Sequence, residues 1–117
     1  MKLLISLVAV LCLSQSYAQT QTTNYTDTRL FAQCMFDISD QSEMQALQNE
    51  MYNNPNIEMV RLDYHTQRAL IITANLETLS RADFISWFDE YAYTIHCVQI
   101  GVHGIDVMNP YPFTNCQ

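Results

Sequence analysis

Four cysteines, three histidines and the acid pair Asp40 and Glu43 are the residues here that could do chemistry. His96, Cys97 and His103 together suggest a borderline-soft metal ion. Strand geometry argues against a shared site, because adjacent residues in a strand point to opposite faces. Residues six apart, such as Cys97 and His103, are separated by about 20 Å. Asp40 and Glu43 offer hard oxygens, which hold Ca²⁺ or Mg²⁺ only when several more oxygens converge. Their spacing suits an acidic capping box at a helix start better. No C-x-x-C lowers a thiol pKa for redox work. No Ser/His/Asp order is visible, and two glycines, Gly101 and Gly104, are too few for a phosphate cradle. No catalytic residue is nominated, no cofactor is expected, and the chain reads as a non-enzyme.

The elements that would carry these residues follow from patterning. Residues 30–36 form an apolar strand candidate, and Asp40 then caps a helix with Met44, Leu47 and Met51 on one stripe. Asn53-Asn54-Pro55 stops that helix, since proline lacks the N–H and restricts the residue before it. Residues 57–64 and 68–75 are two strands joined by His65-Thr66-Gln67, with Val60, Leu62, Ala69 and Ile71 toward the helices. Ser80 caps a second helix whose stripe is Phe84, Ile85, Phe88, Tyr91 and Ala92. Residues 95–102 make a last, β-branched strand.

The order is β-α-β-β-α-β. The economical burial of both stripes is an α+β, ferredoxin-like open sandwich: a four-stranded antiparallel sheet with two helices on one face. Its other face would carry Met59, Leu70, Ile72 and Ala74, an apolar set that marks a contact. Either the tail covers it or a partner does, a second copy or another protein. The tail, residues 105–117, holds Ile105, Val107, Met108, Tyr111 and Phe113 on an extended path set by Pro110 and Pro112.

Residues 1–18 read as a signal peptide: Lys2, an apolar run, then Ser16-Tyr17-Ala18. The run is too short for a span of roughly 20 residues. Residues 19–28 read as a flexible polar leader, 29–104 as the one domain. The net charge of −7 would fall by one further unit with Lys2 removed. Such a surface repels phosphate backbones, so no nucleic acid is expected. A secreted or periplasmic location follows, in which Cys34, Cys97 and Cys116 would supply one disulfide and one leftover thiol. In a ferredoxin-like sheet the outer strands of the sequence are neighbours, which favours Cys34–Cys97. Cys116 bonded to either one is the rival.

The stretch from Ile38 onward resembles heavy-metal-associated domains. In their loop G-M-x-C-x-x-C two thiolates bind a soft cation. Here Ile38 stands at the Met place, Asp40 and Glu43 at the two Cys places, Leu47 and Met51 on the helix face. Pro55-Asn56-Ile57 takes the place of the closing Pro-Gly-Val turn. The resemblance implies that fold without its thiol-based metal binding. The reading is a secreted non-catalytic binding module whose helix-free sheet face carries the contact. The alternative is an extracytoplasmic copper or zinc protein using Asp40, Glu43 or reduced cysteines.

Overall fold

The computed structural model describes residues 28–114 and 116. The expected signal peptide, and the expected leader except Thr28, lie outside the described residues. Strand β1 (Leu30–Met35) leads to helix α1 (Gln41–Met51), then strands β2 (Ile57–Asp63) and β3 (Arg68–Thr73). Helix α2 (Arg81–Ser86), a 3₁₀ segment (Asp89–Thr94) and strand β4 (His96–Val102) complete the order. The strands form one antiparallel sheet in the order β2-β3-β1-β4. The architecture is α+β.

Asp40 starts α1 by the means its spacing predicts. Its carboxylate accepts from the Ser42 and Glu43 amides at 2.9 and 3.2 Å and from the Ser42 hydroxyl at 2.6 Å. These bonds satisfy donors that a helix start leaves without partners and hold the Asp40 carboxyl below its usual range. Met44, Leu47 and Met51 are the buried positions of α1. Ser80 caps α2 by accepting from the Asp83 amide at 3.0 Å.

The second helix is interrupted, which its apolar stripe did not predict. After Ser86 the bonds tighten, with Trp87 donating to the Phe84 carbonyl and Phe88 to the Ile85 carbonyl. Asp89 then takes a positive φ of 50°, a conformation to which aspartate is better suited than most residues. Phe84 and Phe88 still stack edge to face at 5.4 Å and are fully buried. Each such ring contributes roughly 1.5–3 kcal/mol by burial.

Ala32, Cys34, Val60, Leu62, Ala69 and Ile71 pack with α1, Phe84 and Phe88 into the main core. The face assignments for Val60, Leu62, Ala69 and Ile71 match the sequence reading. The opposite face is covered along β1, which is one of the two alternatives expected for it. β1 is buried on both sides: Phe31 is fully covered and Gln33 is 5% exposed although neither belongs to the main core.

The outer edge of β2 is closed by α1 and its C-cap. The Tyr52 hydroxyl donates to the Val60 carbonyl at 3.0 Å and accepts from the Val60 amide at 3.3 Å. The Gln48 side-chain oxygen Oε1 accepts from the Leu62 amide at 2.8 Å. Backbone groups that would otherwise invite another strand are thereby occupied.

Candidate functional site

Residue register on the helix-free face places Phe31 beside Ile72 and Gly101, and Gln33 beside Leu70 and Gln99. Met59 pairs with Ile72 and Arg61 with Leu70 on the β2 side. Met59, Leu70, Ile72 and Phe31 are therefore neighbours, as the alternation of strand side chains requires. They do not form an open apolar face. Ile72 is buried, and Met59, Leu70 and Ala74 are half-buried.

The tail folds back over the β1–β4 side of this face. After β4, His103 donates its amide to the Arg29 carbonyl and the chain turns at Gly104, whose φ is 83°. Asp106 locks the turn: its carboxylate accepts from the Val102 amide at 2.7 Å. Its own amide donates back to the Val102 carbonyl at 2.9 Å. Gln99 then donates to the Val107 carbonyl at 3.0 Å and accepts from the Asn109 amide at 2.8 Å. Gln33 donates to the Asn109 carbonyl at 3.0 Å and to the Gln99 side-chain oxygen at 2.6 Å. Farther on, the Arg68 guanidinium lies 4.8 Å from the centre of the Tyr111 ring, a cation–π contact. The Tyr111–Pro112 peptide bond is cis.

A disulfide closes the strap. It joins Cys97 to Cys116, with Cα atoms 4.1 Å apart, and leaves Cys34 as a buried free thiol. The favoured pairing of Cys34 with Cys97 is therefore corrected in favour of its rival. The cause is a β-bulge. Gln33 pairs with Gln99 but Met35 pairs with His96, so β4 has one residue more than β1 in this interval. Cys97 takes a φ of 56° there, which re-aims its side chain. Cys34 belongs to the main core, whereas Cys97 bonds to the tail. Burial pushes the Cys34 thiol up to about 12. A disulfide is compatible with an oxidising extracellular environment.

The acid pair is engaged in holding the helices. Asp40 caps α1, and Glu43 accepts from the Tyr91 hydroxyl at 2.7 Å. That bond pushes the Tyr91 phenol up to about 12. It also ties the first turn of α1 to the 3₁₀ segment. Among the described residues, no group of three or more His, Cys, Asp or Glu side chains is placed to share a metal ion. His96 Nδ1 lies 2.9 Å from the Thr94 carbonyl, and His65 lies in the β2–β3 turn.

That turn lines an open groove of about 580 Å³ with Asp37, Ile38, Ser39, Tyr64 and Gln67. Its polar groups join neighbouring segments. Gln67 accepts from the Ile38 amide at 2.7 Å and donates to the Tyr64 carbonyl at 2.7 Å. The Tyr64 hydroxyl donates to the Ser39 carbonyl at 2.6 Å. These bonds account for the groove as a closure between two loops.

What projects outward is apolar. Ile105 and Val107 are 77% and 86% exposed on the strapped segment, and Tyr93 is 87% exposed just before β4. Of the tail residues expected as a possible cover for the sheet, Ile105 and Val107 are exposed, whereas Met108 and Phe113 are half-buried. Gln33 and Gln99 were missed altogether; the available signal was a glutamine in the middle of each of two otherwise apolar strands. Among the described residues no helix is long and apolar enough to cross a membrane. Comparison with protein-family models, with curated proteins and with solved structures finds no match to this chain.

Proposed function

We propose that this chain is a secreted or periplasmic, non-catalytic binding module whose contact surface is the tail strapped across the helix-free side of its sheet. The observation that carries the reading is the exposure of Ile105 and Val107 on a segment anchored at both ends. A floppy tail loses conformational entropy on binding, whereas a segment already fixed by a disulfide and four side-chain bonds presents its apolar residues at lower cost. The order β-α-β-β-α-β, with β1 and β3 in the middle of the sheet, supports a ferredoxin-like arrangement with an interrupted second helix. The likeness to heavy-metal-associated domains remains one of spacing, with Asp40 and Glu43 at the thiol places. Both acids have structural partners, which favours the binding module over the metal-carrying alternative.

The test is a photo-reactive residue placed at Val107, with the same residue at Gln45 on the exposed flank of α1 as control. The module reading expects a discrete cross-linked species from position 107 and none from position 45. Equal, diffuse labelling from both positions would count against it.

A further inference from the structure

The two edges of the sheet differ. On β2 the outward backbone groups of Val60 and the Leu62 amide are occupied by Tyr52 and Gln48. On β4 the alternation of the antiparallel ladder turns Gln99 and Gly101 toward β1 and turns Ile100 and the Val98 carbonyl away from it. Val102 is also turned away, but Asp106 and Ile105 occupy its amide and carbonyl. Among the described residues no partner is found for the Ile100 amide and carbonyl or the Val98 carbonyl. The open edge is therefore short, bounded by the Cys97 bulge at one end and by Asp106 at the other.

We infer that β4 pairs antiparallel with β4 of a second copy of this chain, about a two-fold axis through Gln99. Three observations select a second copy as the occupant. The register is self-complementary: the Ile100 amide meets the second copy's Val98 carbonyl, and the symmetry mate repeats the bond. The strand, HCVQIGV, holds no Asp, Glu, Lys or Arg, so on a chain of net charge −7 this edge meets its like without facing charges. β2, by contrast, carries Glu58, Arg61 and Asp63. Tyr93 before the entry to β4 and Ile105 after its exit leave apolar side chains near both ends of this edge. Both are large apolar side chains left mostly exposed in one copy, at 87% and 77%, and apolar flanks of this kind add burial to a short strand pairing. The inference goes beyond the binding-module reading, because its contact is centred on the β4 edge rather than on the tail.

The test is sedimentation velocity of the disulfide-bonded protein from micromolar to millimolar concentration, with amide hydrogen exchange followed over the same range. A dimer is expected, with exchange at the Ile100 amide slowing as concentration rises. The Val60 and Leu62 amides, already bonded within one copy, should show no such dependence. Ile100→Pro removes the outward donor and leaves the ladder to β1 intact. It should weaken dimerisation by roughly tenfold. If that variant fails to fold, the exchange measurement on the unaltered protein decides. A monomer up to millimolar concentration would overturn the inference, and so would a dimer whose Ile100 exchange does not change. Either result leaves the module reading to its own cross-linking test at Val107, because a heterologous partner is captured there without any dimer.

Discussion

Gln33 and Gln99 face one another across β1 and β4, their side-chain amides joined at 2.6 Å, and together they hold the tail at Val107 and Asn109. A glutamine exposed by only 5% is costly unless its amide is bonded. Here Gln33 makes two such bonds, to Gln99 and to the Asn109 carbonyl, and with the two that Gln99 makes to the tail they hold the C-terminal segment as a covering layer.

Replacing Gln99 by Leu leaves the Val107 carbonyl, the Asn109 amide and part of the Gln33 amide without partners. The expected loss is about 1–3 kcal/mol of stability. Chemical denaturation measures it, and amide exchange at Asn109 should speed up in parallel. An unchanged midpoint with unchanged Asn109 exchange would mean that the tail is held elsewhere.

The disulfide should stabilise chiefly by restricting the unfolded chain, since its cysteines are 19 positions apart in sequence. Loop-closure entropy for a ring of that size is worth about 3 kcal/mol. Cys116→Ser should lower stability by about that amount while the helix-covered core around Phe36, Phe84 and Phe88 keeps its native circular dichroism. Loss of all folded signal would show instead that the core depends on the strap.

Gly101 lies under the Phe31 ring. A Cβ at position 101 would sit 2.8 Å from two ring carbons of Phe31 and 3.0 Å from the Asp106 Cβ. Phe31 is fully buried and cannot move aside freely. Gly101→Ala should therefore destabilise by roughly 1–3 kcal/mol through overpacking, whereas Gly104→Ala meets no atom and is strained only by its φ of 83°. Thermal melts of the two variants separate these causes.

Cys34 should resist alkylation in the native protein and react only on unfolding. Its thiol is raised from 9.0 to about 12 by burial, so the neutral form is favoured in the folded state. The stability this contributes is fully present below pH 9.0 and is lost as the pH rises toward 12. Denaturation at increasing pH should show that decline, and Cys34→Ala should flatten it.

These residues also mark how far the sequence was legible. Element order, the Asp40 and Ser80 caps and the helix-facing positions Val60, Leu62, Ala69 and Ile71 follow from local chemistry and period, and the structure places them accordingly. The cysteine pairing depends on one extra residue in β4 and a positive φ at Cys97. No residue-type signal announces that bulge, because cysteine has no special preference for it. The break in the second helix at Asp89 was hidden by a continuous apolar stripe through Phe84, Phe88 and Tyr91. The tail's role was half visible: Pro110 and Pro112 indicated an extended path, but its anchors are long-range bonds to Gln33 and Gln99, separated from it by 76 and 10 residues.

The central claim is that Asp40 and Glu43 are committed to the helices, Cys97 and Cys116 to the strap and Cys34 to the core, rather than to a metal ion. A native mass spectrum of the disulfide-bonded protein with one equivalent of Cu(I), and then of Zn²⁺, tests it most directly. The predicted result for residues 19–117 is a mass with one disulfide, one free thiol and no retained metal. A specific one-metal adduct, lost on replacing Asp40 and Glu43 by Ala, would contradict it and restore the metal-carrying alternative.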